Sequence, residues 1–156
     1  MKVELFDRTK KQKIIDLLDE NYGITKLPYL LIKTGKEKIR CFSGNLSWDE
    51  LNNFGKIVHV ELIGIRLCSV IDESIRINFD VENLPIIKEQ MTKNIVEIDD
   101  EQIVEWLNGK SLEISSDLKA QFVLIRNKED FFGVASNRKT FLQNYVPKER
   151  RITSRG

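Results

Sequence analysis

The chain has one histidine, His59, in the alternating segment KIVHVEL, and two cysteines, Cys41 and Cys68, each inside an apolar run. Serine- or cysteine-based acyl transfer needs a histidine held beside the nucleophile, and a lone strand-type His59 reads instead as a ring with satisfied hydrogen bonds. A zinc site needs about four nitrogen or sulfur ligands; two cysteines and one histidine without paired spacing do not supply them. Asp99, Asp100 and Glu101 sit together, but three acids before an apolar run are what a helix start favours, where unpaired N–H groups and the helix dipole attract negative charge. No catalytic residue, metal or cofactor is expected from these residues.

The residues that could bind something lie at the other end. With 25 Lys+Arg against 24 Asp+Glu the chain is nearly neutral, yet residues 138–156 carry Arg138, Lys139, Lys148, Arg150, Arg151 and Arg155 against the single acid Glu149. Pro147 removes an N–H and fixes φ, so YVPKERR is not helical through its middle and lies extended or turns. That would hold Lys148, Arg150 and Arg151 at a fixed place. Arginine offers a planar fork for phosphate oxygens, lysine a point charge, and Tyr145 a face on which a base could stack. A solvated basic end that touches nothing is the competing reading.

Elements must position these groups. The composition, 41% hydrophobic and 31% charged over 156 residues, is that of a folded protein of one ordinary domain or two small ones. No stretch approaches the roughly 18 consecutive apolar residues of a membrane span, and the N-terminus shows no cleavable apolar leader; a cytoplasmic, reducing setting with Cys41 and Cys68 as small buried hydrophobes is expected. Ile14, Leu17 and Leu18 share a helical face over residues 10–20, with Gly23 as a stop. A hairpin is expected about Thr34-Gly35-Lys36. A capping box at Ser47 and Glu50 should open a helix running to about Phe54, stopped by Gly55. KIVHVELIGIRLCSVI and SIRINF read as strands joined near Asp72 and Glu73.

Composition changes between about residues 84 and 94, where a polar helical patch from Lys88 to Lys93 is expected, dividing an α/β unit (residues 1–88) from a small, mostly β unit (residues 94–156). In the second unit a short strand precedes a helix capped by Asp99 with Gln102 in the reciprocal position, presenting Ile103, Trp106 and Leu107 and ending at Gly109. A strand should follow Gly109, then QFVLIRN and FFGVASN joined by KED, closing a compact barrel. Trp48 and Trp106 fall on apolar helix faces and read as core. Gly133, inside a strand, marks either a bulge or a point of close approach.

The order strand, DDEQIVEWLNGK, strand, QFVLIRNKEDFFGVASN and LQNYVPKERRI resembles the PUA domain, an RNA-binding module. The L-x-N-Y-x-P-K-x-x-R run from Leu142 to Arg151 is similar to the ending of PUA-like domains of Sun-type RNA cytosine methyltransferases and their stand-alone archaeal relatives. The resemblance covers roughly residues 94–153. The first half resembles, by analogy, the pre-PUA α/β domain of ribosome-assembly factors. Ala135 stands where many PUA domains have a second glycine. The resemblance implies an α+β chain, a pre-PUA-like domain followed by a PUA-like barrel, that contacts structured rRNA or tRNA through Gly109, Lys110, Gly133, Arg138, Lys139, Asn144, Tyr145, Lys148, Arg150 and Arg151. No methyl-transfer part is recognisable: no Gly-rich turn follows a strand, and neither cysteine has a Pro-Cys context. The implied role is a non-enzymatic factor in RNA modification or ribosome biogenesis, working with an RNA-modifying enzyme or assembly factor. A protein-interaction subunit and the accessory half of an RNA methyltransferase are the alternatives.

Overall fold

The computed structural model describes residues 3–45, 47, 49–51, 53 and 64–152. The expectations for Trp48, for the helix end at Phe54 and Gly55, and for His59 and its strand lie outside the described residues. Asp7 opens the first helix, α1 (Arg8–Tyr22), by accepting the Lys10 amide, and Gly23 closes it at φ 86°, the left-handed stop that glycine alone adopts freely. Ile14, Leu18 and Tyr22 form its buried face. They pack on an antiparallel meander in chain order: β1 (Val3–Leu5), β2 (Leu30–Thr34), β3 (Lys38–Phe42), β4 (Ile65–Ile71) and β5 (Ser74–Ile77). The Tyr22 hydroxyl donates to the Ile75 carbonyl at 2.6 Å, locking helix to sheet. The expected turns are present, with Gly35 at φ 69° and Asp72 at φ 50°. Ser47 and Glu50 make the capping box, the Glu50 carboxylate accepting the Ser47 amide at 2.7 Å. Cys41 and Cys68 are both buried and free.

A bulge interrupts the β3–β4 ladder: Ile39 pairs with Cys68, but Arg40 pairs with Arg66, so Leu67 is the extra residue. Side chains alternate along a strand, and one inserted residue reverses the alternation beyond it. Arg66 therefore shares a face with Ser69, to which it donates at 2.8 Å.

The helical patch expected at Lys88–Lys93 lies earlier, at α2 (Pro85–Lys88). Proline suits a first helical turn because its missing N–H has no partner there anyway. Beyond it the chain leaves the helix and bonds α1 and the segment after it: the Thr92 backbone amide donates to the Tyr22 carbonyl at 2.9 Å, and the Gln90 side-chain Oε1 accepts the Thr25 and Lys26 amides.

The second sheet has the order β6 (Ile95–Glu97), β7 (Phe122–Asn127), β8 (Asp130–Asn137), β9 (Leu142–Asn144), with β6 parallel to β7 and the other pairs antiparallel. Between β6 and β7 runs α3 (Asp100–Leu107), whose Asp99/Gln102 capping box forms as its spacing predicts. Gly109 at φ 90° ends it, donating to Trp106, while Lys110 donates to Glu105, the paired bonds of a Schellman stop. The strand expected after Gly109 is reduced to one bridge, Leu112 to Leu142. The Ile114 amide turns back to the Leu112 carbonyl at 2.9 Å, and the ladder cannot continue.

The two hydrophobic cores share β7. Phe122 and Leu124 pack into the core with α1 and the first sheet, while Val123 and Ile125 pack into a second core around Trp106. The run FVLI is buried on both faces, as a strand between two layers must be. Its neighbour β8 serves both cores through a second bulge: Leu124 pairs with Val134 and Arg126 with Phe131, so Phe131 and Val134, three residues apart, face the same core. Side chains take up four backbone groups there. The Phe132 carbonyl accepts the Trp106 indole N–H at 2.5 Å, the Gly133 amide donates to Glu82 Oε1, and Asn83 brackets Phe131, donating to its carbonyl at 2.7 Å and accepting its amide at 3.0 Å.

Trp106 is fully buried, the core position its spacing with Ile103 and Leu107 predicts. Emptying a large aromatic site costs roughly 3–5 kcal/mol, and Trp106→Ala also strands the Phe132 carbonyl. A urea melt should show a loss at or above that range; an unchanged midpoint would place Trp106 outside the core.

Candidate nucleic-acid interface

The groups singled out in the sequence fall into three places. Arg138 and Lys139 are exposed at the β8–β9 turn, where Lys139 takes φ 66° and Arg138 bonds Gln143 at 3.0 Å. Gly109, Lys110, Asn144 and Arg151 meet at the end of α3. A Cβ on Gly109 would come within 2.8 Å of the Arg151 Cδ, so the glycine makes room for that arginine, whose Nε donates to the Val146 carbonyl at 3.1 Å. Asn144 fastens this corner: Nδ2 donates to the carbonyls of Trp106 at 2.7 Å and Lys110 at 2.9 Å, and Oδ1 accepts the Val146 amide. Lys110 itself is exposed.

The third place is the rim between the two sheets. Pro147 precedes a single 3-10 turn, Lys148–Arg150, which leaves Lys148 exposed and turns Arg150 onto Asp80 at 2.6 Å. Tyr145 is 38% exposed, and the Arg76 guanidinium lies 4.9 Å from its ring centre. Phe122 and Tyr145 pack in a T-shaped pair with ring centres 6.3 Å apart. Gly133 is buried: a Cβ there would meet Phe79 at 3.2 Å, so the absent side chain is used for packing between the halves.

Arg150 and Arg151 thus have protein partners, whereas no salt bridge among the described residues engages Lys110, Arg138, Lys139 or Lys148. The sequence reading missed the first sheet's contribution to this rim. Arg66, Ser69 and Arg76 line a pocket of about 120 Å³ together with Asn78, Gly133, Tyr145 and Pro147. An arginine inside an otherwise apolar strand was the available signal in IRLCSVI and SIRI; the bulge that brings Arg66 beside Ser69 left none.

Glu82 lies behind this rim. It is fully buried, Oε1 accepts the Gly133 amide, and Oε2 has no hydrogen-bond partner among the described residues. Burial outweighs that one hydrogen bond and pushes the carboxyl up to about 8. Among the described residues no three His, Cys, Asp or Glu side chains gather as a metal site would require, and no helix is long and apolar enough to cross a membrane.

The segment after residue 92, strand, capped helix, Schellman stop and bulged hairpin with a basic ending, is the part of the chain that is similar to a PUA domain. The family model described as the methyltransferase RsmF PUA domain matches residues 93–152. No curated protein matches the chain significantly.

Because the folded Glu82 holds its proton to about pH 8 while an unfolded glutamate releases it near 4.5, the folded state binds more protons between those values. Stability then falls as pH rises through that window, by roughly a few kcal/mol, and levels off above it. Glu82→Gln removes the dependence, so the stability difference between wild type and variant should shrink or reverse from pH 5 to 8; parallel profiles in denaturant melts would contradict it.

Proposed function

We propose that this chain is a non-catalytic RNA-binding protein acting in the modification of rRNA or tRNA or in ribosome assembly, in a cytoplasmic setting. The observation that carries the reading is the match of residues 93–152 to a PUA domain. The geometry supports it. Lys110 at the end of α3 and Lys148 on the 3-10 turn are exposed cations without carboxylate partners among the described residues, on a surface organised by Asn144 and Pro147. Such charges position a phosphate backbone, while selection among RNAs rests on shape and on splayed bases. The first sheet resembles a pre-PUA domain only by analogy, and an archaeal stand-alone protein that works beside an RNA-modifying enzyme or assembly factor is the setting proposed. The accessory half of an RNA methyltransferase is a second reading, favoured by the methyltransferase origin of the matching model.

Each phosphate that a cation neutralises adds roughly 0.7 to the slope of log affinity against log salt for single-stranded nucleic acid. With about 0.9 per phosphate for duplex, Lys110→Gln with Lys148→Gln should therefore flatten the slope for a structured RNA by about 1.4 to 1.8. Stability should change by no more than about 0.5 kcal/mol per surface substitution. An unchanged slope in filter-binding titrations would mean that these lysines are only a solvated end.

A further inference from the structure

Both arginines of the inter-sheet pocket are held by neutral groups. Arg66 reaches it through the β4 bulge and is fixed by the Ser69 hydroxyl at 2.8 Å. Arg76 stands directly across the β4–β5 ladder from Ser69 and is fixed by the Tyr145 ring, 4.9 Å from its guanidinium carbon, with the Phe122 ring 5.9 Å away. Neither has a carboxylate within salt-bridge distance among the described residues, in contrast to Arg126, which pairs with Glu97, and Arg150, which pairs with Asp80. Asp80 borders the pocket through Asn78, but its two oxygens are engaged, Oδ1 by Arg150 and Oδ2 by Asn78 Nδ2 at 3.3 Å. Two arginines lining one small pocket, neither with a carboxylate in salt-bridge distance among the described residues, repel each other, and an entering anion relieves that repulsion.

The cavity sets the size of that anion. About 120 Å³ is well below the 300–1,000 Å³ of ordinary small-molecule sites, so a cofactor or free nucleotide does not fit whole, while one phosphate group does. The lining residues include groups that can donate hydrogen bonds to a phosphate: Arg66, Ser69, Arg76 and Asn78. At the mouth, the part-exposed Tyr145 offers an aromatic surface of the kind on which nucleobases stack, and Pro147 leads to Lys148.

We infer that this pocket, built jointly by the first sheet and the PUA-like domain, binds one backbone phosphate of the RNA, with the neighbouring base against Tyr145. The first half of the chain is then part of the RNA-binding surface. The inference rests on the RNA-binding reading above and extends it to residues outside the matched segment.

The test uses the full chain and a short fluorescent hairpin RNA with a single-stranded tail, titrated over a range of salt. Arg66→Gln with Arg76→Gln should weaken binding and flatten the log–log salt slope by about 0.7, the value for one phosphate. Arg66→Lys with Arg76→Lys keeps both charges and should restore most of the slope while affinity stays reduced, because lysine lacks the planar fork; this pair also distinguishes the removal of charge from a failure to fold. If wild type binds the RNA and the glutamine pair binds with the same affinity and slope, the pocket is not a phosphate site, although the RNA-binding reading stands. If wild type shows no salt-dependent RNA binding, the functional reading itself fails and the inference goes with it.

Discussion

The bulge at Phe132 and Gly133 is the constraint on which the rest of the molecule depends. A strand that feeds two cores must present apolar side chains on both faces, and β8 does so by inserting one residue, so that Phe131 and Val134 face the first core while Phe132 and Ala135 face the second. A bulge leaves backbone groups without ladder partners, and a buried unpaired group costs on the order of 1–3 kcal/mol. Trp106 from the second core takes the Phe132 carbonyl, and Glu82 from the first half takes the Gly133 amide. One irregularity thereby ties the helix of the PUA-like domain, the sheet and the preceding segment into one structure.

The proposed RNA surface follows from that union. Phe122 and Tyr145 approach Arg76 because β7 lies against the first sheet, and Arg150 reaches Asp80 across the same seam. Had the halves been independent units joined by a linker, Arg66 and Arg76 would have had no fixed relation to Tyr145. The buried Glu82 belongs to the same seam. Its displaced ionisation reflects the cost of placing a carboxyl where one oxygen has a partner and the other has none among the described residues.

Much of this was legible in the residues. Capping chemistry is local, so the Asp99/Gln102 box, the Gly23 and Gly109 stops and the Thr34-Gly35-Lys36 turn could be read directly, and the helical spacing of Trp106 marked it as core. Gly133 inside FFGVAS marked a bulge or a close approach, and the structure makes it a bulge. Hidden were the features that depend on partners distant in sequence. The β4 bulge is set by pairing with β3; the helix at Pro85 stops early because residues 90–94 bond the end of α1 and its following loop; and the strand after Gly109 is cut to one bridge by the turn at Ile114. The basic ending was visible as charge, but only the fold separates Lys110 and Lys148, which face solvent, from Arg150 and Arg151, which are held by Asp80 and Val146.

The central claim is that RNA lies across the seam, on the PUA-like domain and the first sheet together. Ultraviolet crosslinking of the full chain to a structured RNA, with the attached nucleotides located by mass spectrometry of the peptides, tests it most directly. Crosslinks at Tyr145 together with crosslinks in the β4–β5 peptide that contains Arg66 and Arg76 are the predicted result. Crosslinks confined to the β8–β9 turn around Arg138 and Lys139, or none above the level of a denatured control, would contradict it.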